Sequence, residues 1–249
     1  MLSDKEQIRY SRQMLVKGFS EQEQLMLKNA TVLIVGCGGL GNPASLYLAS
    51  SGIGRLIIAD GDNVELSNLQ RQVVFTEQSI NQSKAEVMAA HLTHLNSDID
   101  IEAVDDMVDA EFLDYYLPMV DVVLDCTDNL NTRYLLNDYC IAHSTVLVSG
   151  AAIRAEGQVM MVNPNLDNFS CYQCFYPKSK GEPSLNCSTA GVIAPVLGII
   201  GSMQALLAIK HLTAKSTLDN KVMIFDGMTM HWQQFNITKK QNCVCSNNN

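Results

Sequence analysis

Positively charged side chains are scarce in this sequence. Its 249 residues contain 17 Lys and Arg against 26 Asp and Glu, which gives a formal net charge of −9 at pH 7. A protein that binds nucleic acid or an anionic membrane surface needs a basic face that neutralises phosphates. The composition therefore argues against both kinds of partner.

A secretory leader and a flexible linker are also missing from the pattern. The opening stretch, MLSDKEQIRY, is charged and has no apolar core segment, so we expect a cytoplasmic protein. Only 6 Pro and 15 Gly are present, and they form no stretch that divides the chain. We therefore expect one continuous domain over residues 1–249.

One apolar segment, residues 190–210, is almost as long as a membrane-spanning helix. Pro195, Ser202 and Gln204 interrupt it, and three glycines weaken it as an isolated helix. We predict a buried helix in a core or subunit contact rather than a membrane span.

The pattern of apolar residues indicates an α/β fold. Two N-terminal helices are predicted, broken near Gly18, with Ser3 and Ser20 as N-caps because Glu follows each serine three residues later. Strand and helix patterns then alternate, which predicts a Rossmann-like, doubly wound, mostly parallel sheet. The predicted strands are 31–35, 55–60, 99–104, 120–125 and 145–149, and the predicted helices include 83–95 and 130–142. Further strand patterns at 157–163, 221–226 and 231–237 indicate an antiparallel C-terminal extension.

The stretch VLIVGCGGLG, residues 32–41, joins the first predicted strand to the motif G-x-G-x-x-G. In such a loop Gly36 permits a tight turn, Gly38 lets backbone approach a phosphate, and Gly41 lets the next helix pack closely. Asp60 has the spacing of the acid that accepts hydrogen bonds from a ribose hydroxyl. The pattern predicts a nucleotide site and leaves open whether the ligand is a dinucleotide or ATP.

Two cations after Asp60 favour ATP. A transferase that expels pyrophosphate must neutralise growing negative charge on the leaving group, whereas backbone amides suffice for a bound dinucleotide. Arg71 lies in SNLQRQ, and Lys84 begins the following predicted helix. The alternative for each is a solvated surface cation.

Two acids lie at the end of the fourth predicted strand, in VVLDCTDN. The carboxyl edge of an open α/β sheet is where ligands bind. Asp128, just past the strand, is placed to hold Mg²⁺, with N-capping of the helix at Leu130 as the alternative. For Asp125 we expect a structural role.

In combination, these motifs resemble the ThiF/MoeB family, the bacterial relatives of ubiquitin-activating enzymes. The matching segments are GCGGLG, Asp60, LSNLQRQ, Lys84 and DCTDN, and the resemblance runs from RYSRQ at Arg9 to the terminal cysteines. It implies an adenylyltransferase that uses ATP and Mg²⁺. The implied substrate is the C-terminal glycine carboxylate of a small ubiquitin-like sulfur-carrier protein, of the ThiS or MoaD type, that ends in Gly-Gly.

The resemblance also implies individual roles. Asp60 would bind the ribose, and Asp128 the metal and α-phosphate. Arg12 would reach the nucleotide of the other subunit, which implies a homodimer. The remaining implied nucleotide contacts are the loop and phosphate-binding residues Gly36, Gly38, Gly39, Gly41, Asn68, Arg71, Lys84 and Asn129.

Eight cysteines in a reducing compartment are more consistent with thiols or metal ligands than with disulfides. The pairs Cys171/Cys174 and Cys243/Cys245 predict a structural Zn²⁺ held by four thiolates. The second pair is C-x-C where the family usually has C-x-x-C, which leaves open which cysteine is the fourth ligand. Free thiols or a redox dithiol are the alternatives.

Cys187, in LNCSTAG, is expected on an accessible loop. In the thiazole-forming branch of the family, the matching cysteine can become linked to the carrier through sulfur, and in the molybdopterin branch adenylation does not require it. The alternative is an inert loop thiol or a spare zinc ligand.

The choice of pathway rests on three segments. NCSTAGV and FDGMTMHW favour the thiamine pathway, whereas VSGAAIRAEGQ is closer to the molybdopterin enzyme.

The resemblance divides the chain into three parts. Residues 1–29 would form N-terminal helices and residues 30–156 a nucleotide-binding core. Residues 157–249 would supply the zinc loop, the crossover loop, the carrier-binding strands and the tail.

Two other functions fit part of the pattern: an NAD-dependent oxidoreductase and a non-catalytic binding subunit of an activating complex. The first leaves Arg71, Lys84 and the cysteine pairs unexplained, and the second should lack part of the phosphate-binding set.

Overall fold

The computed structural model describes residues 1–178, 190–215 and 218–246. Its strands are β1 (Thr31–Val35), β2 (Arg55–Ala59), β3 (Asp100–Val104), β4 (Val122–Asp125), β5 (Val146–Ile153), β6 (Glu156–Val162), β7 (Lys221–Asp226) and β8 (His231–Asn236). They form one eight-stranded sheet in the order β3-β2-β1-β4-β5-β6-β7-β8. The strands up to β5 pair in parallel, and those from β5 to β8 pair antiparallel. The predicted doubly wound fold and its antiparallel extension are confirmed.

Helices connect and cover these strands. They are α1 (Asp4–Met14), α2 (Glu21–Lys28), α3 (Gly41–Ser51), α4 (Lys84–Leu95), α5 (Ala110–Tyr116), α6 (Leu130–Ala142), α7 (Tyr172–Phe175) and α8 (Ala194–Leu212). Ser3 and Ser20 cap α1 and α2, and each forms a capping box with the Glu three residues later, as predicted. Helix α5 has no counterpart among the sequence predictions.

The two faces of the sheet bury separate hydrophobic clusters. Along β1, Val32 and Ile34 belong to one cluster, and Leu33 and Val35 belong to the other. This alternation follows from the two-residue period of a strand, and a sheet buried on both faces needs apolar residues at every position. The first cluster includes residues of α3, α4 and α8, and the second includes residues of α5 and α6 together with Cys171, Cys174, Cys243 and Cys245.

Strand β1 lies between β2 and β4, so the chain reverses its direction of winding at this point. In open α/β sheets such a reversal opens a crevice outside the carboxyl ends of the strands. The fold therefore places the loops that follow β1, β2 and β4 around one crevice.

Helix α8 is long and apolar enough to cross a membrane by length and composition alone. It packs on α3 and on the sheet, where Val196, Leu197 and Ile200 are buried. Its Gln204 is fully buried and donates hydrogen bonds to the carbonyl oxygens of Asp125 and Val148. The prediction of a buried helix for this segment is confirmed.

Two glycines of α8 provide a test of this packing. A Cβ at Gly201 would lie 2.3 Å from the carbonyl oxygen of Leu40, whereas a Cβ at Gly198 would have no atom within 4 Å. We expect Gly201→Ala to lower the free energy of unfolding by about 2 kcal/mol, because the helix must move away from α3. Gly198→Ala should raise the same quantity by about 0.5 to 1 kcal/mol, since alanine is the better helix former. Urea denaturation at one protein concentration measures both, and equal effects would contradict the described contact.

Candidate functional site

A cavity of about 860 Å³ opens at the carboxyl ends of β1, β2 and β4. It lies at the reversal point of the sheet, where the fold leads one to expect a ligand. Nine residues that the sequence analysis assigned to nucleotide binding line it, namely Gly36, Gly38, Gly39, Asp60, Asn68, Arg71, Lys84, Asp128 and Asn129. The tertiary structure therefore brings most of the predicted set together.

The glycine loop lies directly against the neighbouring backbone. Gly36 has φ +96°, a conformation that favours glycine, and a Cβ there would lie 2.8 Å from the carbonyl oxygen of Cys126. Gly41 lies behind the loop, where a Cβ would come within 1.9 Å of the Gly36 carbonyl oxygen. Gly38 is different, because its nearest neighbour on that side is the Gln72 side-chain nitrogen at 3.7 Å. The loop thus leaves space at Gly38, where a phosphate can approach the backbone.

Asp60 is held in place by backbone amides. One carboxylate oxygen accepts a hydrogen bond from the Cys37 N–H at 2.6 Å, and the other accepts one from the Asp62 N–H at 2.9 Å. Burial raises the pKa of this carboxyl group above its usual value, an effect that the Cys37 amide and Lys84 partly offset. The carboxylate therefore faces the cavity in a fixed orientation, with lone pairs that can also accept from hydroxyl groups.

Lys84 is the most buried cation of the predicted set, with 8% of its side chain exposed. It begins α4, and its ammonium group pairs with the exposed carboxylate of Asp62 at 3.0 Å. Arg71 is half-buried and donates a hydrogen bond to the carbonyl oxygen of Ser67 at 3.0 Å. A buried ammonium group needs a charge partner. A phosphate that entered the cavity could take over the role that Asp62 plays for Lys84.

The two acids after β4 differ in their surroundings. Asp125 is buried and accepts hydrogen bonds from the hydroxyl groups of Thr127 and Ser149, in the structural role that we expected for it. Asp128 is exposed at the cavity wall. The N-cap of α6 is Asn129, whose side-chain oxygen accepts from the Thr132 N–H at 2.8 Å. The alternative role of Asp128 as the helix cap is therefore filled by its neighbour, and its carboxylate stays available to a ligand.

Among the polar residues of the cavity lining that the sequence analysis did not identify, Arg133 and Gln72 are buried. Arg133 is 5% exposed and donates a hydrogen bond to the carbonyl oxygen of Thr127. Gln72 is 3% exposed, and within the described ranges its side-chain oxygen has no hydrogen-bond partner. Arg133 lies on the buried stripe of α6, so a charged residue at an apolar position was the signal that could have identified it. Gln72 carries no comparable signal, because its environment depends on the neighbouring glycine loop.

Two predicted site residues lie elsewhere or outside the description. Arg12 is exposed on α1 and does not line the cavity of its own chain. Helix α1 is nevertheless firmly attached, since buried Tyr10 accepts a hydrogen bond from Asn96 and Gln13 donates one to Gln24. Cys187 lies outside the described residues.

The cavity continues past the residues that are predicted to bind a nucleotide, toward the antiparallel part of the sheet. Its far half is lined by Gln158 on β6, Ile224 on β7, and Tyr172 and Tyr176 from the α7 region. The Tyr176 hydroxyl donates a hydrogen bond to Gln158 at 2.6 Å. These side chains offer amide, hydroxyl and apolar groups, which suit an uncharged backbone better than a phosphate.

Four buried cysteines, two of them at α7, form a separate cluster that does not line the cavity. Their sulfur atoms all lie within 4.8 Å of one another. Cys171 is 3.3 Å from Cys243, and Cys174 is 3.4 Å from Cys245. Thiolates bound to one Zn²⁺ at about 2.3 Å lie about 3.8 Å apart in a tetrahedron, which is close to these separations. The short C-x-C gap does not prevent both tail cysteines from reaching the cluster, which has the donor set of a structural zinc site.

Comparison with known proteins gives consistent matches. The model of the ThiF family matches residues 10–247. The sulfur carrier protein ThiS adenylyltransferase of Escherichia coli K12 is 42% identical over 249 residues, which is 100% of this chain and 98% of that protein. The molybdopterin-synthase adenylyltransferase of the same strain is 43% identical over 246 residues, which is 98% of each. The structure of E. coli MccB with ATP superposes with a TM-score of 0.83 and 26% identity, covering 96% of this chain and 75% of that one.

Proposed function

Because the chain belongs to the ThiF family, we propose that it is an ATP-dependent adenylyltransferase that activates a small ubiquitin-like sulfur-carrier protein. Its substrate is the carrier's C-terminal glycine carboxylate, which becomes an acyl-adenylate in thiamine thiazole or molybdopterin synthesis. Two adenylyltransferases of such pathways are 42% and 43% identical to nearly the whole chain. The observation that carries the proposal is the convergence of Arg71, Lys84 and Asp128 on one cavity with the glycine loop and Asp60.

The reaction needs cations more than it needs a base. A C-terminal carboxylate has a pKa of about 3.5, so it is already ionised at neutral pH. One of its oxygens attacks the α-phosphorus of ATP, the bond from that phosphorus to the β-phosphate oxygen breaks, and pyrophosphate leaves with the bond electrons. The enzyme contributes in-line positioning and stabilisation of the charge on the leaving group.

The cavity supplies these contributions from different sides. Asp60 accepts hydrogen bonds from the ribose, and Asn68, Arg71 and Lys84 contact the phosphates. Asp128 would hold Mg²⁺, a cation that takes carboxylate and phosphate oxygens and neutralises the triphosphate. When ATP binds, a phosphate replaces Asp62 as the partner of the Lys84 ammonium group. Because that ammonium group is already buried, ATP binding requires little further desolvation of it. The structure of MccB with ATP, to which this fold is similar, supports a triphosphate ligand.

The far half of the cavity is the path that we propose for the carrier's Gly-Gly tail. A glycine tail has no side chains, so its backbone can lie close to Gln158, Ile224 and Tyr176 in the far half of the cavity. The Gln158 amide and the Tyr176 hydroxyl can hydrogen-bond an extended backbone. Strands β6 to β8 would then receive the body of the carrier, in the C-terminal part of a single adenylation domain.

The two alternative functions are less well supported. An oxidoreductase has no use for cations and a metal-holding acid at the phosphate end of the site, and the matched relatives are adenylyltransferases. A non-catalytic subunit should lack part of the phosphate-binding set, whereas Arg71, Lys84 and Asp128 all line one cavity here.

Exchange of radiolabelled pyrophosphate into ATP tests the proposed reaction. We expect exchange only when the true carrier is added, so parallel assays with a thiamine-pathway and a molybdopterin-pathway carrier identify the partner. Asp128→Asn and Arg71→Ala should each lower the exchange rate by about a hundredfold, because each removes a group that stabilises transition-state charge.

Matched substitutions elsewhere on the surface serve as controls. Asp114→Asn changes an exposed residue of α5. Arg55→Ala changes the first residue of β2, at the end of the strand that lies away from the cavity. Neither residue lines the cavity, and both variants should retain the unsubstituted rate. Normal exchange by folded Asp128→Asn protein, or no exchange with either carrier, would contradict the proposal.

We further propose that Arg12 completes the site of a second copy of this chain. Arg12 is exposed, lies outside its own cavity, and sits on a helix whose position is fixed by Tyr10 and Gln13. Next to it, Gln13, Tyr47 and Leu206 line a shallow hollow of about 300 Å³. A cation held on a rigid helix beside an apolar surface suits an arginine that acts across a subunit contact.

The proposed homodimer brings together exposed apolar side chains from several helices. Tyr47 of α3 is 58% exposed and Leu206 of α8 is 49% exposed. Leu15 and Val16, which follow α1, are exposed as well. Burial of these side chains against a second copy would remove apolar surface from water, which is the main driving force for association.

A mixed dimer tests whether Arg12 acts across the contact. Arg12→Ala and Asp128→Ala homodimers should each be inactive in exchange. When the two variants are co-expressed and the mixed dimer is isolated, one site combines the intact Asp128 of one subunit with the intact Arg12 of its partner. We expect that dimer to recover about half of the unsubstituted rate, since one of its sites is whole. An inactive mixed dimer would show that Arg12 serves its own subunit or has no catalytic role.

For the cysteine cluster we propose a structural Zn²⁺ bound by Cys171, Cys174, Cys243 and Cys245. All seven described cysteines are free of disulfides, as fits the reducing cytoplasm in which we place the protein. The ion would tie the C-terminal tail to α7, which borders the far half of the cavity.

Metal analysis tests this proposal. Protein produced in zinc-containing medium should carry about one Zn²⁺ per chain by elemental analysis. Cys245→Ser should lose the metal and lower the melting temperature, because a coordinated tail becomes free. Cys140→Ala, a change at a buried cysteine of α6 outside the cluster, should retain the metal. Full zinc content in Cys245→Ser protein would exclude that residue as a ligand.

A further inference from the structure

Asn42, the second residue of α3, is fully buried and makes three side-chain hydrogen bonds. Its Nδ2 donates to the carbonyl oxygen of Cys37 at 2.8 Å and to that of Gly38 at 3.1 Å. Its Oδ1 accepts from the Val74 N–H at 2.7 Å. The amide is therefore satisfied on both sides, and it joins the glycine loop to the chain segment that carries Arg71.

The first pair of bonds sets the direction of two backbone amides. In a trans peptide unit the C=O and the following N–H point in opposite directions. When Asn42 holds the carbonyl oxygens of Cys37 and Gly38 on its own side, the N–H groups of Gly38 and Gly39 point the other way. Gly38 and Gly39 line the cavity and Asn42 does not, so those N–H groups face the ligand space. Neither N–H has an acceptor within the described part of the chain.

The third bond fixes the opposite wall of the phosphate region. Val74 and Phe75 are buried, and the turn before them contains Arg71 and Gln72. The Val74 N–H bond to Asn42 therefore anchors the end of that turn on α3. The Gln72 side chain extends toward the glycine loop, and its Nε2 is the atom that would lie nearest to a Cβ at Gly38, at 3.7 Å. One buried side chain thus sets the distance between the amides of the loop and the guanidinium of Arg71.

We propose that Asn42 is a positioning residue for the triphosphate, which aims the Gly38 and Gly39 amides at it and holds the Arg71 segment in register. This inference rests on the proposed function, since it takes ATP as the ligand. Asn42 would not touch ATP. Its effect is on the geometry of groups that do, so it should change nucleotide affinity more than carrier affinity.

Two substitutions at this position test the role. Asn42→Ala leaves the Cys37 carbonyl oxygen and the Val74 N–H without partners. The Gly38 carbonyl oxygen keeps only its bond from the backbone N–H of residue 42, so the loop is less firmly oriented. Asn42→Asp keeps the acceptor for Val74 but places carboxylate oxygens against the carbonyl oxygens of Cys37 and Gly38. We expect both variants to raise the dissociation constant of ATP, measured calorimetrically, and its KM in exchange by about tenfold or more. The KM for the carrier should stay unchanged.

Asn220→Ala is the matched control. The Asn220 side chain also joins two segments, because its Nδ2 donates to the Asn168 carbonyl oxygen and its Oδ1 accepts from the Ser170 N–H, and Asn220 does not line the cavity. This variant should have a lower melting temperature with unchanged ATP affinity. The proposal is overturned if folded Asn42→Ala protein binds ATP like the unsubstituted protein, or if Asn220→Ala weakens ATP binding equally.

A measurement on the unsubstituted protein does not depend on the variants folding. In amide NMR spectra, the Gly38 and Gly39 N–H signals should shift strongly downfield when ATP with Mg²⁺ is added, and the Asn42 side-chain signals should not. Unmoved glycine amides in a protein that does bind ATP would overturn this inference and leave the proposed function standing. A protein that binds no ATP and shows no exchange would overturn both.

Discussion

The contact on which the site depends is made between backbones. The carbonyl oxygen of Gly36 lies so close to the start of α3 that a Cβ at Gly41 would be 1.9 Å away, and Gly36 in turn lies against Cys126 at the end of β4. Both ends of the glycine loop and the backbone after β4 therefore meet without intervening side chains. The absence of side chains leaves the loop amides at the cavity surface, and the helix N-terminus adds its partial positive charge.

A second constraint comes from charge. An acidic chain with 17 Lys and Arg has few cations to place around a triphosphate, and burying each cation is costly without a partner. The structure gives Lys84 a carboxylate, Arg71 a carbonyl oxygen and Arg133 a carbonyl oxygen. Each cation is thus held in position by a local partner. A phosphate that enters the cavity can then replace the carboxylate or carbonyl partner of such a cation with little movement of the protein.

Much of the fold was predictable because its signals are local. The strand at 31–35 and the helix at 130–142 were predicted with the bounds that the structure shows, since apolar runs and helix stripes repeat over a few residues. Helix α5 was missed because its seven residues give too short a period to read. The assignment of the α6 cap was also ambiguous, because Asp128 and Asn129 are both good caps and only the observed backbone selects Asn129.

The sequence by itself determined the order of strands and helices, the glycine loop, the acids at the strand ends and the four cysteines, because each is a pattern of neighbouring residues. Only the tertiary structure decided which residues meet. It placed Gln72 and Arg133 at the cavity, kept Arg12 outside it, and used Asn42 to join two segments that are separate in sequence. These outcomes depend on how the sheet reverses direction at β1 and how α3 packs beside it, and such long-range packing leaves no periodic signal in the chain.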